Sequence, residues 1–273
     1  LTQESIGKLF MAAVLPGIIA MIGYMIVVRI MVTINPASGP AGPRVSWPDR
    51  MRALLQVLPV IGVFIVVIVG IYGGWANPTE AAAIGAAACG ILAIVTGGMR
   101  MKGVVDSALG TAQATAMIFL VLLGADMLNT ALALSQMPVE LAAYVKGSGL
   151  SPMLVMIVIL LIYVLLGCVM DSLAMILLTI PIFYPIVMGL EFHGMTATDK
   201  SIWFGILALM VVEIGLVHPP VGMNVYIINR LAGDVPLKET FKGVMPFLAS
   251  DFIRIGLLLA FPAICLVLVG TGN

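Results

Sequence analysis

Charge is what this sequence has least of. Only 10% of its 273 residues are Asp, Glu, Lys or Arg, whereas a soluble domain carries about 25%. The 13 acidic and 13 basic residues cancel, so the chain lacks the basic excess of a nucleic-acid binder. Cysteine is sparse too: Cys89, Cys168 and Cys265 all lie in apolar runs, with no C-x-x-C and no Cys/His cluster. That excludes a disulfide framework and a zinc site, and the three thiols are expected to be small buried core residues. No G-x-x-x-x-G-K-[ST] phosphate loop is present, so ATP hydrolysis by that machinery is excluded. No Ser/His/Asp grouping has supporting context, and the expectation is that the chain is not an enzyme and holds no organic cofactor.

What is present is apolar: 62% of the residues are hydrophobic, against about 45–50% in soluble domains. Many fall in runs near the roughly 20 residues that a membrane helix needs. The fold class is therefore an all-α polytopic membrane protein. Leu1 is not an initiator Met, and Leu1-Thr-Gln-Glu4 lacks the basic region of a signal peptide. The chain reads as a fragment, or as the second half of a longer membrane protein.

In order, Leu9–Ile34 is an apolar span carrying Pro16 and Gly17, and Asn35–Trp47 is a Pro/Gly/Ser loop with Arg44, Arg50 and Arg52 at its end. Leu54–Trp75 is a second span. Asn77-Pro78-Thr79-Glu80 has the pattern of a helix start, with a capping Asn, Pro in the first turn and Glu three residues after the cap. It opens a third span, Ala81–Thr96, whose Ala and Gly predict close packing against other helices. Ser107–Ala133 is a fourth segment, with interruptions expected at Gly124-Ala-Asp126 and Asn129. Ser135–Ser151 is expected to be a loop, and Val244–Val269 is the last span, after a polar loop with Lys238 and Lys242.

Two stretches break this regularity. Pro152–Leu190 is about 38 nearly unbroken apolar residues, too long for one ordinary span, with Gly167-Cys-Val-Met-Asp171-Ser172 near its middle. Cytoplasmic loops collect Lys and Arg. If this stretch enters and returns to one face, only Lys8, Lys146 and Lys200 of the basic residues remain outside. A hairpin satisfies that count, as two full spans would, and arms of about 16–18 residues favour the re-entrant form.

The other stretch is Glu213-Ile-Gly-Leu-Val-His-Pro-Pro-Val-Gly-Met-Asn224, between apolar flanks that are each too short to cross a bilayer alone. Pro219 and Pro220 remove two backbone donors, and Gly215 and Gly222 permit dihedrals that other residues resist. The pattern predicts one membrane helix broken at mid-depth. Unwound backbone there is tolerated where it is buried or lines a cavity. Paired interruptions of this kind are a recurring device of secondary transporters, whose freed carbonyls coordinate Na⁺ while half-helix N-termini face anions; the plainer alternative is a kink at Pro219-Pro220, with Asp171 capping a turn.

Asp126 and Asp171 lie at membrane depth, where a carboxylate is a functional-site candidate; Asp126 could alternatively bond Asn129 or a neighbouring helix end. Glu213 fits a cap or ion pair as well as a ligand role. Asp251 and Arg254 read as a local pair. As a histidine, His218 keeps proton coupling open.

Three motifs together resemble one family. Gly73-Gly-Trp-Ala-Asn-Pro-Thr-Glu-Ala-Ala-Ala83, Met170-Asp-Ser-Leu-Ala-Met-Ile-Leu-Leu-Thr-Ile-Pro181 and Glu213-Ile-Gly-Leu-Val-His-Pro-Pro-Val-Gly222 are similar to the large permease subunit of tripartite ATP-independent periplasmic (TRAP) transporters. Leu1–Phe10 resembles that family's mid-chain junction. The resemblance implies one half of an inverted-repeat, elevator-type secondary transporter of the ion-transporter superfamily, in the bacterial inner (cytoplasmic) membrane. It implies Na⁺ as the coupling ion and a small organic acid as solute, such as a C4-dicarboxylate or sialic acid. The implied partners are a periplasmic substrate-binding protein, a small membrane subunit, membrane lipid and the N-terminal repeat of the same permease.

Under that resemblance the chain divides into a helix and cytoplasmic loop at the junction (1–53) and scaffold-type helices (54–106). An interrupted segment with an outer loop follows (107–151). The re-entrant hairpin (152–190) and broken helix (191–243) would belong to the transport domain, before the last helix (244–273). Carried over by position, Gly167, Asp171 and Ser172 at the tip pair with Gly215, Val217, Pro219 and Gly222 at the break to form a sodium site. Asn224 lies near the solute, with His218 and Asp126 as further solute-contacting candidates. His218 stands where the family commonly has Thr, and Ser172 where it often has Pro, changes that leave backbone ligation intact. The alternatives are a proton-coupled permease of another family, through Asp126 or His218, and a passive channel or scaffold subunit.

Overall fold

The computed structural model describes residues 2–39, 42–192, 194–233 and 235–270. Leu1, where the junction resemblance begins, lies outside them, as do Pro40 and Ala41 of the first loop. The regular structure of the described residues is helical, with no strand among them. Six helices are long and apolar enough to cross a membrane: α1 (Ile6–Ile34), α2 (Trp47–Tyr72), α3 (Pro78–Val95), α4 (Met101–Leu134), α7 (Ser172–Gly189) and α10 (Leu237–Ala260). The others are α5 (Met137–Gly147), α6 (Pro152–Gly167), α8 (Ala197–Gly215), α9 (Met223–Ala232) and α11 (Ala263–Gly270).

The chain forms two compact units, Gly39–Phe119 and Leu1–Ser38 with Leu120–Asn273. In the smaller unit α2 packs along α3. The expected helix start is present as a capping box. Glu80 N–H donates to Asn77 Oδ1 and Asn77 N–H donates to Glu80 Oε2, both at 2.9 Å. Small residues bring these helices together, since a Cβ built on Gly85 would lie 2.9 Å from Val67 Cγ2. Helix α2 starts earlier than the apolar run, at the Ser46 cap, so Arg50 and Arg52 lie on its first turns rather than in a loop.

The larger unit holds the core. Helix α6 packs on α8, α7 packs on α5 and α8, and α1 covers α8, α10 and α11. Trp203, Phe204, Leu207 and Val212 of α8 are sealed among Met156 and Tyr163 of α6, Met175 of α7 and Leu258 of α10. Asp251 and Arg254 form the expected pair, 2.8 Å apart and buried, and Tyr24 of α1 donates to the other oxygen of Asp251 at 2.8 Å. Among the described residues Arg254 Nε has no hydrogen-bond partner, so the pair rests on the single contact between Arg254 Nη2 and Asp251 Oδ1.

Five further sequence expectations are corrected. Helix α4 runs unbroken through Gly124, Asp126 and Asn129. Without a proline every backbone bond survives there, and the roughly 1 kcal/mol cost of a helical Gly does not break a helix. Residues 137–147 form α5, because Pro138 sits in its first turn, where no donor is lost, and the helix packs on α7. Lys238 and Lys242 lie on α10, and the closing span is divided at Phe261-Pro262 into α10 and α11. Cys89 is exposed, while Cys168 and Cys265 are buried; an apolar run on a membrane helix faces lipid as readily as core.

Candidate functional site

Helix α6 ends at Gly167 and α7 begins at Ser172, so the tip of the hairpin is where the sequence places it. At the end of α6 the Cys168 N–H returns to the Val164 carbonyl at 3.3 Å, and the Val169 and Met170 N–H groups both return to Leu166. Asp171 caps α7, its Oδ2 accepting from the N–H groups of Leu173 (3.1 Å) and Ala174 (3.4 Å).

The expected helix break is also present, between Gly215 at the end of α8 and Met223 at the start of α9. The chain first tightens, with Val217 N–H on Ile214 O and His218 N–H on Gly215 O, each at 3.1 Å. The Pro219-Pro220 peptide bond is cis, and Gly222 has φ +61°, in the left-handed region. The Asn224 N–H then donates to Leu216 O at 3.0 Å, closing the loop on itself.

Tip and break meet through their glycines. A Cβ built on Gly215 would lie 2.6 Å from Gly167 Cα, and one built on Gly167 would lie 2.9 Å from Gly215 Cα. Beside this crossing the buried Cys168 thiol donates to Val164 O at 3.3 Å, with His218 O at 3.5 Å and Pro219 O at 3.8 Å. His218 Nδ1 contacts the Pro219 carbonyl and lies 4.0 Å from Cys168 Sγ. Its ring meets Phe252 of α10 edge-on at 5.7 Å.

The structure thus brings Gly167, Gly215, His218 and Pro219 together, with Val217 and Gly222 in the same loop. The carbonyls of Gly167 and Val217 accept no hydrogen bond from any described residue. Asp171 and Ser172 are at the tip, but no hydrogen bond joins them to the break among the described residues. Asn224 stands half-buried on the first turn of α9. Asp126 is exposed on α4 and Glu213 on α8, and neither side chain bonds a described residue. No group of three or more His, Cys, Asp or Glu that could hold a metal ion occurs among the described residues. The unbonded carbonyls of Gly167 and Val217 lie at the ends of α6 and α8, where the helix backbone carries partial negative charge.

Three contacts escape the sequence reading. Cys168 is expected in the core with the other thiols, although its place after Gly167 puts it at the tip. Phe252 touches His218 from far along the chain, and Phe241 lies 3.2 Å from a Cβ built on Gly222; no local pattern signals either.

Residues 1–264 match the family described as tripartite ATP-independent periplasmic transporter, DctM component. The chain is 31% identical over 268 residues to a C4-dicarboxylate TRAP transporter large permease protein of Pseudomonas aeruginosa, covering 98% of this chain and 60% of that protein. A sialic acid TRAP large permease of Vibrio cholerae is 28% identical with the same coverage of both chains. An ectoine/5-hydroxyectoine TRAP large permease of Ruegeria pomeroyi is also 28% identical, over 98% of this chain and 60% of its own length. The chain therefore spans about three fifths of the length of these curated relatives. With its apolar helices, this match makes the chain a multi-pass membrane protein belonging to the DctM-component family of tripartite ATP-independent periplasmic transporters.

Proposed function

We propose that this chain forms part of a sodium-coupled permease for a small organic acid. The solute would be a C4-dicarboxylate, sialic acid or a similar carboxylate, delivered by a periplasmic substrate-binding protein. One observation carries the sodium assignment: two helix C-termini meet at Gly167 and Gly215, where the carbonyls of Gly167 and Val217 accept no hydrogen bond from a described residue. Gly167, Val217 and Pro219 would supply carbonyl oxygens, and Gly215 and Gly222 would give the backbone room to turn. Asp171 and Ser172 would close the tip side. The N-termini of α7 and α9 place positive partial charge near Ser172 and Met223, and an anionic solute would use that charge beside Asn224 and His218.

Relatives named for C4-dicarboxylate, sialic acid and ectoine transport support the solute class. The partners would be a small membrane subunit and the preceding repeat of an inverted-repeat permease. The hairpin would be re-entrant and move with the broken helix, elevator-like, in the bacterial inner membrane.

Sodium binding is testable on the chain itself. Ligand that binds only the folded state raises its stability. Thermal unfolding in detergent should shift upward with NaCl but not with choline chloride or KCl at equal ionic strength. Equal shifts with all three salts reject the sodium site. Uptake in liposomes carrying the complete transporter then separates the alternatives. Accumulation that follows pH with no sodium gradient indicates proton coupling, and flux without accumulation indicates a channel.

A further inference from the structure

Helix α7 carries Pro181 in its interior. An α-helical N–H bonds the carbonyl four residues earlier, and proline has none, so Leu177 O cannot take its usual helical donor. Asn129 of α4 faces that carbonyl, with its Nδ2 3.5 Å from Leu177 O. Leu177 is 8% exposed, and in so apolar a setting a stranded carbonyl is costly.

The pairing is selective. Pro16, Pro59, Pro181, Pro185 and Pro246 all lie inside helices, and each strands a carbonyl. Among the described residues, only the one at Leu177 receives a donor from another helix's side chain. The same device recurs after α10: Pro262 leaves Leu258 O without its donor, and the Trp203 indole N–H of α8 takes it at 2.9 Å. Asn129 Oδ1, on the far side of the amide, is buried with no partner among the described residues. The amide thus tolerates an orphaned oxygen while its NH₂ stays turned to α7.

We propose that Asn129 is a positioning residue for the hairpin: it docks α4 onto the returning arm at the carbonyl that Pro181 strands. The bond sits about one and two-thirds turns beyond the Asp171 cap of α7, and so fixes the arm from which the tip projects. Asp171, Ser172 and Gly167 then hold their places against the break. Substitution of Asn129 should loosen the first turns of α7 while leaving α6 packed. The functional part of this inference rests on the tip–break site proposed above, whereas the docking itself does not.

Amide hydrogen exchange of the full chain in lipid nanodiscs, without sodium or solute, tests the docking. Asn129→Ala and Asn129→Asp both remove the donor and should speed exchange at least several-fold in peptides covering 172–180, while peptides covering 152–166 hold their wild-type rates. Pro181→Ala restores an N–H for Leu177 O, and in that background Asn129→Ala should have little or no effect on the same peptides. The proposal is overturned if Asn129→Ala leaves 172–180 unchanged in the wild-type background, or accelerates it equally with and without Pro181. A variant that unfolds, seen as rapid exchange in 152–166 as well, also counts against it, because that outcome assigns Asn129 to general packing. These readouts are independent of sodium, so they can succeed where the sodium assignment fails, or the reverse.

Discussion

Gly167 and Gly215 touch backbone to backbone, each occupying the volume where the other's side chain would start. The contact is reciprocal, so no single rotamer change can make room for a substituent. It joins the hairpin to the broken helix at the point where both helices end.

Gly215→Val should therefore force the two helices apart. Overpacking a filled interior costs about 1–3 kcal/mol. Here the obstructing atoms are backbone, including Val164 O at 2.9 Å, so the upper part of that range is expected. Thermal unfolding should show the loss, together with disappearance of any sodium-specific shift. A wild-type melting temperature and an unchanged sodium response in the Gly215→Val chain would contradict both the packing and the site.

Gly222→Ala tests the loop from a different side. Its φ of +61° costs an L-residue about 1–2 kcal/mol, and its new methyl would meet His218 O and Phe241 at 3.2 Å. Gly222→Asn should cost less of the backbone term, because Asn visits the left-handed region more readily. The order Gly, then Asn, then Ala in melting temperature would fail if the loop takes another conformation.

Asp251→Asn strands Arg254 in a site where its side chain is 13% exposed. Removing one partner of a buried ion pair costs about 3–5 kcal/mol. The Tyr24 hydroxyl loses its charged acceptor as well. Replacing both partners with Leu should recover much of that loss, which a double-mutant cycle on unfolding temperature would read directly.

Trp203→Phe removes only the indole donor from Leu258 O. An orphaned buried carbonyl costs about 1–3 kcal/mol, and the smaller ring adds a packing loss. Combining it with Pro262→Ala, which returns an N–H to that carbonyl, should make the two changes less than additive. Simple additivity would mean that the bond contributes little.

The hairpin tip and the helix break were legible because proline and glycine act locally: they remove donors or admit a positive φ wherever they stand. Asn77 and Glu80 were legible for the same reason, since a capping box is complete within one helical turn. Polar residues inside a helix misled. Gly124, Asp126 and Asn129 looked like breaks, yet a backbone with all its donors stays helical among apolar surroundings. Helix α5 escaped notice because its stability comes from packing on α7 rather than from its own pattern.

By itself the sequence determined the class of protein and the stops at the hairpin tip and the helix break, because hydropathy and donor loss are properties of the chain read in order. Only the tertiary structure decided which interruptions meet. Gly167 reaches Gly215 across 48 positions, Asn129 reaches Leu177 across another 48, and Trp203 reaches Leu258 across 55. Each contact is fixed by which helices share a core and which carbonyls were left without a donor, and none is encoded in any neighbourhood of the sequence.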